Sequence, residues 1–457
     1  MAKHINFQLG WPSTSLFPNS QILGGASNIL RSNEKTAAAL IYGPDAGYEP
    51  LRESIALWLG KTYAPGEEEQ ITPSRVCISN GASHDLQNIL AKFTEPGYTR
   101  KIWMIEPSYF LACPIFMDAG FENQLRGVPE DDEGLDIDFL RKEIEKVEAE
   151  SRDLDAPKIK VGPRYPKIYK HVIYAVPTFA NPSGKTMSLR RREALILLAR
   201  EFDALIVTDD VYDVLRWPRS PDADVSQLGR IPPRLVDIDR TLNGGPKDEW
   251  GNAVSNGSFS KIIAPGVRTG WAEGTPAFIH ALSTVGATRS GGAPSHMTAA
   301  FIDEMMETGS FEAHIRDTLI PTYRARYYAM FRAIEESLLP LGFTVTTGTP
   351  YETSSTVQSN GRGPEIAAGG YFTYLTVPSG LSLSVPELAA LAVDKYNVKF
   401  AYGEMMAVEG DPTSTERAQD GYGKGIRLCW AWHTSEDIIE GVERIATMFK
   451  EVKERNI

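Results

Sequence analysis

The sequence repeatedly places a short β-rich run directly before a loop of glycine and polar residues. Examples are RVCIS before NGASHD, KIWMI before EPSYF, HVIYAV before PTFANPSG and ALIVT before DDVYD. Amphipathic stretches such as SLRRREALILLAREFDA lie between them, with Ser188 as a candidate N-cap. Strands alternating with helices predict an α/β fold with a mostly parallel sheet covered by helices. Ligands bind at the carboxyl ends of such strands, where the polar loops fall.

The length of the chain, 457 residues, predicts more than one hydrophobic core. YFTYLTV and GIRLCWAW read as strands of a smaller α+β domain near the end. We therefore expect an N-terminal segment (residues 1–45) that packs on the small domain, a large domain (46–325) and a small C-terminal domain (326–457). Residues 218–252 are turn-rich and predict a long surface excursion. The charged segment from about 130 to 170 predicts a solvated helix and connection.

Composition disfavours several classes of partner. With 47 basic and 59 acidic residues the formal net charge is −12, which repels nucleic acid. No run approaches the roughly 20 apolar residues of a membrane helix, and we expect no targeting segment and no membrane. The three cysteines are far apart and odd in number, which favours reduced thiols in a cytoplasmic protein over disulfides or a zinc site. We expect no metal.

The stretch SNGSFSKIIAPGVRTGW, residues 255–271, isolates one lysine among small uncharged residues. A lysine desolvated there loses basicity and becomes an amine nucleophile, which suggests an aldehyde partner. Ser258 and Arg268 flank Lys261, and a hydroxyl with a guanidinium suits a phosphate dianion. The three side chains together indicate a phosphorylated aldehyde, whereas Lys261 alone would more simply be a surface lysine.

A second anion feature occurs in SNGASHD, where a strand ends and a helix begins after Gly81. The backbone N–H groups of Ala82 and Ser83 at that helix start would face an anion. The alternative is an ordinary strand-to-helix turn with Ser83 as its cap.

The run IVTDDVY predicts partners for a pyridine ring. Asp209 at a strand end can pair with a pyridinium N–H, and Tyr212 can bond a ring oxygen. Asn181 in NPSG can donate to the same ring oxygen, and Tyr109 in EPSYF can stack on the ring. The alternatives are a helix cap for one of Asp209 and Asp210, a plain turn at NPSG, and ordinary packing of the tyrosine.

Arg427 lies within the otherwise apolar strand GIRLCWAW. A guanidinium in such a strand needs an anionic partner. That partner is either an internal carboxylate or the α-carboxylate of a substrate.

Seven stretches carry a family resemblance: YGPDAGYEPLRE, NGASHDL, EPSYF, FANPSG, TDDVY, SFSKIIAPGVRTGW and GIRLCW. In this order, over nearly the whole chain, they resemble the fold-type I, class I/II pyridoxal-phosphate aminotransferases, especially the branch of 2-aminoadipate and aromatic (kynurenine-type) aminotransferases. The resemblance implies a large domain with a mostly parallel sheet of the seven-stranded type, as in aspartate aminotransferase. It also implies a cytoplasmic homodimer with shared active sites.

The same resemblance implies a role for each candidate residue. Lys261 would bond to pyridoxal 5'-phosphate and move the substrate's proton, and Asp209 and Tyr212 would join it as catalytic residues. The other implied contacts are Asn181 and Tyr109 on the ring, Ser258, Arg268 and the amides of Ala82 and Ser83 on the phosphate, Tyr42 on the neighbouring subunit's phosphate, and Arg427, Asn181 and Gly10 around the substrate.

The implied activity is transfer of the amino group of an L-amino acid, such as 2-aminoadipate or an aromatic one, to a 2-oxo acid such as 2-oxoglutarate. A lyase, a cyclopropane-carboxylate-type synthase or an oxidase on the same fold is the alternative. A ligand-sensing domain is disfavoured because no basic DNA-binding module precedes the fold, and a nicotinamide enzyme because no G-x-G-x-x-G follows a strand. The sequence departs from the family at CWAWH, with Trp430 and Trp432, and in the length of the 218–252 excursion. Arg31 would favour an acidic substrate side chain, and the tryptophans an aromatic or long apolar one.

Overall fold

The computed structural model describes residues 3–63, 70–150, 158–346 and 366–455. Its strands are β1 (Ile5–Asn6), β2 (Val76–Ser79), β3 (Lys101–Glu106), β4 (Leu125–Asp131), β5 (Gly134–Leu135), β6 (His171–Ala175), β7 (Ala204–Asp209), β8 (Arg216–Pro218), β9 (Ala253–Ser258), β10 (Gly270–Glu273), β11 (Thr344–Val345), β12 (Ala367–Gly369), β13 (Phe372–Thr376), β14 (Val398–Lys399), β15 (Ala401–Tyr402) and β16 (Gly425–Cys429). Its helices are α1 (Asn19–Arg31), α2 (Asn33–Leu40), α3 (Glu49–Tyr63), α4 (Ala82–Phe93), α5 (Cys113–Phe116), α6 (Ile137–Glu150), α7 (Leu189–Glu201), α8 (Leu235–Thr241), α9 (Pro276–Ser283), α10 (Gly286–Arg289), α11 (His296–Glu307), α12 (Ser310–His314), α13 (Ile320–Ser337), α14 (Val385–Tyr396), α15 (Pro412–Asp420) and α16 (Ser435–Arg455).

A large sheet with the strand order β2-β10-β9-β7-β6-β3-β4-β5 forms the centre of the fold. The pairs β9–β7, β7–β6, β6–β3 and β3–β4 are parallel, whereas β10 is antiparallel to both β9 and β2. β2 therefore runs in the same direction as β9. The short β5 pairs antiparallel with the end of β4 and makes an eighth strand. The predicted mostly parallel sheet is confirmed.

Helices cover both faces of this sheet, as the apolar sequence pattern predicts. On one face Ile89 and Phe93 of α4 and Phe278 of α9 pack in the core. On the other face Leu140 of α6 and Leu195 of α7 do so. Burial on both sides explains why the parallel strands are continuous apolar runs rather than alternating ones.

A smaller antiparallel sheet, in the order β11-β13-β16-β15, lies in the C-terminal part. The N-terminal strand β1 pairs with β14, and the amide of Phe7 donates to the carbonyl of Lys399 at 2.7 Å. The carbonyl of Phe7 in turn accepts from the amide of Cys429 at 3.1 Å. The start of the chain is thus joined to the C-terminal part, while the domain boundaries at residues 45 and 325 stay predictions.

Helix α7 begins where the sequence predicts it, because the Ser188 hydroxyl accepts a hydrogen bond from the amide of Arg191 at 3.3 Å. The charged segment from about 130 to 170 contains the predicted helix as α6, whose buried residues are Leu140 and Ile144. Residues 151–157 of that segment lie outside the described residues.

The prediction of a surface excursion over residues 218–252 is wrong in its central part. Leu235 and Ile238 in α8 are buried against the large sheet. Arg234, 1% exposed, donates hydrogen bonds to Asp237 and to Glu273, both at 2.9 Å. These buried ion pairs explain how a charged stretch enters the core.

The three cysteines, Cys77, Cys113 and Cys429, are buried free thiols. They pack as small core residues. None of the helices in the four described ranges is long and apolar enough to cross a membrane.

Candidate functional site

Five strands of the large sheet, β2, β3, β6, β7 and β9, end at the same edge because they run in the same direction. Strand β10 begins at this edge, since it runs the opposite way. The predicted residues that follow or end these strands are Ala82 and Ser83 after β2, Tyr109 after β3, Asn181 after β6, Asp209 and Tyr212 at β7, Ser258 and Lys261 at β9, and Arg268 before β10. The topology therefore brings them to one edge.

Lys261 projects its amine toward the N-terminal segment. Its Nζ donates to the carbonyl oxygen of Gly10 at 2.7 Å and lies 5.6 Å from the ring centroid of Tyr371. Burial lowers the pKa of Lys261 to about 8, although the charge of Asp209 opposes this shift. A substantial fraction of the amine is therefore unprotonated just above neutral pH, as a nucleophile requires.

Asp209 is a partly buried carboxylate with a hydrogen-bond donor on each oxygen. The hydroxyl of Tyr174 donates to Oδ2 at 2.6 Å, and the amide of Asn256 donates to Oδ1 at 3.2 Å. Burial raises the pKa of Asp209 to about 6, while the bond from Tyr174 favours the charged form. The carboxylate is thus still mainly ionised at neutral pH and can hold a cationic N–H.

Arg427 is 5% exposed and lies over the ring of Phe372, 4.2 Å from its centroid. Its Nη1 donates to Oδ1 of Asn181 at 2.6 Å, and its Nη2 donates to the carbonyl of Gln8 at 2.8 Å. Its Nε has no hydrogen-bond partner, and no carboxylate of the described residues is within ion-pair distance of it. The sequence left two anionic partners open for Arg427, an internal carboxylate and the α-carboxylate of a substrate. The described residues provide no internal carboxylate.

The start of α4 has a helix N-terminus that no side chain caps. Its N-cap is Gly81, with φ +89°, a conformation that favours glycine. A Cβ at Gly81 would lie 2.9 Å from Nη2 of Arg268, so glycine also makes room for the guanidinium. The first amides of α4, from Ala82 and Ser83, therefore lie beside the guanidinium of Arg268. The amides and the cation together suit an anion.

Arg268 itself has a left-handed backbone, with φ +47°. Its Nη2 donates to the carbonyl of Asn80 at 2.9 Å, and among the described residues no carboxylate pairs with it. Ser258, in the same strand connection, accepts from the amide of Ser260 at 3.1 Å. Ser258 thus lies at the start of the connection that carries Lys261, and Arg268 lies at its end.

The two predicted ring contacts differ in exposure. Tyr212 is 3% exposed and its ring centroid lies 5.3 Å from that of Tyr371. Tyr109 is partly buried; burial raises its pKa to about 12, and the charge of Asp209 contributes to this shift. Both phenols are therefore neutral donors near the carboxylate.

Tyr42 is the predicted residue that the structure does not join to the others. It is 87% exposed, and no hydrogen bond or ring contact between described residues connects it to the sheet edge. Its contribution to a second subunit stays a prediction.

Sequence reasoning missed several contacts of the site: Tyr174 and Asn256 on Asp209, Tyr371 beside Lys261, and Gln8 and Phe372 on Arg427. For Asn256 a signal was present, since a polar residue in a strand buried on both faces needs partners. For the others the signal lies in strand pairing, which the sequence does not state.

The tryptophans after Arg427 have different surroundings. Trp430 is 1% exposed and donates to the carbonyl of Gly370, so it belongs to the core. Trp432 is partly exposed and makes an edge contact with Trp11, with ring centroids 6.2 Å apart. Trp11 follows Gly10, whose carbonyl accepts the hydrogen bond from the amine of Lys261, so the backbone next to Trp11 lies at that amine. We call Trp11 and Trp432 the tryptophan pair.

Comparison with known proteins agrees with this geometry. The family described as aminotransferase class I and II matches residues 25–350. An uncharacterized protein of Saccharomyces cerevisiae is 32% identical, over 98% of this chain and 97% of its own. Aromatic-amino-acid aminotransferase 1 of Thermococcus litoralis is 29% identical, over 97% of this chain and 87% of its own.

A solved structure shows the same likeness in three dimensions. It is the kynurenine aminotransferase of Pyrococcus horikoshii in complex with PMP, with a TM-score of 0.73 and 26% identity. The match covers 99% of this chain and 92% of that one. Within the described residues, no cluster of three or more histidine, cysteine or acidic side chains could hold a metal ion.

Proposed function

The chain belongs to the class I and II aminotransferases and is a pyridoxal-phosphate-dependent transaminase, and we propose that its amino donors are L-amino acids with aromatic or long apolar side chains. The acceptor in this proposal is a 2-oxo acid such as 2-oxoglutarate. The observation that carries the choice of donor is the tryptophan pair, whose Trp11 directly follows the residue that contacts the reactive amine.

The residues at the sheet edge fit the cofactor chemically. Lys261 offers an amine whose pKa burial lowers to about 8, and Asp209 offers a partly buried carboxylate that accepts two hydrogen bonds. The uncapped start of α4 and the unpaired cation of Arg268 offer a place for a phosphate. When bound, the cofactor supplies an aldehyde that takes up the amine and a ring that withdraws electrons.

In the proposed arrangement Asp209 would hold the proton of the pyridine nitrogen. Asn181 and Tyr212 would donate to the ring hydroxyl, and Tyr109 would stack on the ring. The phosphate is held by the following groups: the amides of Ala82 and Ser83, the hydroxyl of Ser258 and the guanidinium of Arg268. These assignments rest on the order of the stretches in the sequence and on the common edge at which the residues lie.

Lys261 is the proposed acid–base group. Its Nζ would take the proton of the substrate α-carbon as a general base. As a general acid it would donate that proton to the carbon that the cofactor's aldehyde supplies. A basicity near physiological pH suits both steps, because the amine has to accept and then release the proton.

Arg427 is proposed to bind the α-carboxylate of the substrate. The guanidinium is buried, its Nε has no hydrogen-bond partner, and no described carboxylate neutralises it. A substrate carboxylate would supply the missing charge, and Asn181, which accepts a hydrogen bond from Nη1, would orient the guanidinium. Gly10, the other residue proposed to lie near the substrate, contacts the amine of Lys261 through its carbonyl oxygen.

The tryptophan pair supports the choice of side chain. Trp11 is 55% exposed although it is large and apolar, so it offers its face to a ligand at little cost of desolvation. An aromatic substrate side chain would cover part of that face. Arg31, the residue that would favour an acidic side chain, is exposed in the last turn of α1.

A homodimer with shared active sites is part of the proposal. Large exposed apolar side chains are concentrated near the start of the chain: Trp11, Leu23, Leu30, Leu40, Ile41, Tyr42 and Leu57. Such a concentration is typical of an interface, and Tyr42 would then reach the partner's phosphate. Sedimentation at several concentrations tests this.

The free buried cysteines support a cytoplasmic location, which cell fractionation tests.

A steady-state assay tests the function. Tyrosine, phenylalanine, leucine, 2-aminoadipate and aspartate are each paired with 2-oxoglutarate, and glutamate formation is measured. We expect the aromatic donors to have the highest kcat/KM. A preference for the acidic donors would contradict the proposed substrate class, and elimination products or peroxide without glutamate would contradict transamination.

A further inference from the structure

Asn256 is a buried amide between the two ends of the proposed cofactor site. It is 0% exposed and lies in β9, where its register partner on β7 is Asp209. Its Nδ2 donates to Oδ1 of Asp209 at 3.2 Å and to the carbonyl of Ala82 at 2.9 Å. One amide group thus joins the carboxylate to the first residue of α4.

Tyr174 is a natural comparison for Asn256. It donates to the other oxygen of Asp209 at 2.6 Å, from β6 on the opposite side. Both side chains fix the direction of the carboxylate, but of the two only Asn256 is shown bonded to α4 as well.

We propose that Asn256 is a positioning residue that couples the carboxylate of Asp209 to the N-terminus of α4, and so keeps the partner of the pyridine nitrogen in register with the phosphate site. The proposal rests on the proposed function, because it uses the assignment of Asp209 and Ala82 to the cofactor. Asn256 itself touches neither the reacting atoms nor the substrate in this scheme.

Two physical effects follow from the bonds of Asn256. A hydrogen bond to the charged form of a carboxylate stabilises that form, so its loss makes Asp209 easier to protonate. The bond to the Ala82 carbonyl holds the first turn of α4, and its loss lets the amides that face the phosphate shift. Loss of Tyr174's hydroxyl would produce the first effect without the second.

The test compares Asn256→Leu, which removes both bonds and keeps the branching and the number of side-chain heavy atoms, with Tyr174→Phe. A hydrogen bond to a charged group contributes about 1.5 to 3 kcal/mol, or roughly 10- to 100-fold. We expect both variants to slow α-proton removal by that factor and to shift the pH titration of the cofactor's visible absorption. Only Asn256→Leu should also raise the dissociation constant of pyridoxal phosphate, by roughly tenfold. Asn256→Ser, which restores one donor, should recover one of the two defects.

Further arms separate a positioning role from a structural one. In an Asp209→Asn background, Asn256→Leu should add little to the loss in rate, because both changes act through the same carboxylate. A folded Asn256→Leu protein with unchanged cofactor affinity and unchanged absorption would overturn the proposal, as would full additivity with Asp209→Asn. Should Asn256→Leu not fold, the same measurements on Asn256→Ser decide the question, and a Ser variant that matches the parent in both would overturn the proposal. The binding and absorption measurements need no amino donor, so a failure of the proposed transamination shows up separately in the glutamate assay.

Discussion

The amine of Lys261 lies 2.7 Å from the carbonyl oxygen of Gly10, a residue 251 positions earlier in the chain. The contact brings the N-terminal segment to the carboxyl edge of the large sheet. This carbonyl partly replaces the water that burial removes from the amine.

Cofactor uptake by the cofactor-free protein should follow the protonation of Lys261. Burial lowers the pKa of this amine to about 8, and only the neutral form attacks an aldehyde. The rate of appearance of the visible band should rise roughly tenfold per pH unit below about pH 8 and level off above it. Stopped-flow absorbance across pH 6 to 10 measures this.

Two variants check the assignment. Lys261→Ala should show no such band at any pH. Asp209→Ala should move the break to lower pH, since the charge of Asp209 raises the pKa of Lys261. A break near the ordinary lysine value of about 10.4 would contradict a desolvated amine.

Replacing Asp209 with Asn should slow α-proton removal by roughly 100-fold or more, because the ring nitrogen loses the charge that keeps it protonated. Single-turnover kinetics with α-deuterated donor isolates this step. The visible band should persist, which shows that the lysine bond is intact. An undiminished rate would show that another group holds the nitrogen.

Arg427→Ala should raise KM for amino donors by roughly 100-fold, since charge-assisted hydrogen bonds to a carboxylate contribute about 1.5 to 3 kcal/mol each. The dissociation constant of the cofactor should change little, because Arg427 is proposed to bind only the substrate. Arg427→Lys keeps the positive charge but loses the two parallel N–H donors of the guanidinium. Its KM for amino donors should therefore lie between those of the parent and of Arg427→Ala. Equal losses in donor and cofactor binding would contradict the assignment.

The common edge of the site could be predicted from the sequence because parallel strands end together. Polar loops follow the apolar runs of β3, β6 and β7, which is enough to expect Tyr109, Asn181 and Asp209 in one place. The prediction needs only strand direction, and the repeated alternation of strand and helix supplies it.

The partners of these residues depend on strand order and register, which the sequence leaves open. Asp209 and Asn256 are register partners across β7 and β9, although 47 positions separate them. That none of the described carboxylates lies within ion-pair distance of Arg427 is likewise a property of the packed C-terminal part. Both facts became visible only in three dimensions.

The buried helix α8 was mispredicted because residues 218–252 are rich in turn-forming residues, which predict a surface excursion. In the structure Asp237 accepts hydrogen bonds from Arg234 within the core. Buried charges are tolerated when they are paired and hydrogen-bonded, so a turn-rich and charged composition does not exclude a buried helix.

Removing either ring of the tryptophan pair should weaken the preference for aromatic donors over small ones. Trp432→Ala and Trp11→Ala should each lower kcat/KM for tyrosine by roughly tenfold, in line with about 0.5 to 1.5 kcal/mol for an aromatic contact plus the lost apolar area. Values for alanine as donor should change less. Trp432→Phe keeps an aromatic ring and should retain most of the preference, whereas an equal loss for all donors would contradict a contact with the substrate side chain.

Asp85 is a buried carboxyl group, 1% exposed, in the first turns of α4, and its Oδ2 has no hydrogen-bond partner. Burial, together with the charge of Asp209, raises the pKa of Asp85 to about 8 from its ordinary 3.8. Between about pH 4 and 8 the folded protein therefore holds a proton that the unfolded chain has released. Stability contributed by this group is present below about pH 4 and is lost as the pH rises to about 8.

Asp85→Asn removes this titration, so the variant should become more stable relative to the parent as the pH rises. We expect the difference in Tm between cofactor-free variant and parent to grow by several degrees from pH 5 to pH 9, since about 1 kcal/mol shifts Tm by about 2 to 4 °C in domains of 150 to 250 residues. Calorimetry at each pH measures it. The exposed Asp118, changed to Asn, is the matched control and should give no such trend. A difference that stays constant across this range would show that Asp85 is ionised in the folded protein, through a donor outside the described residues or through water, because only a proton held by the folded state makes the two curves diverge.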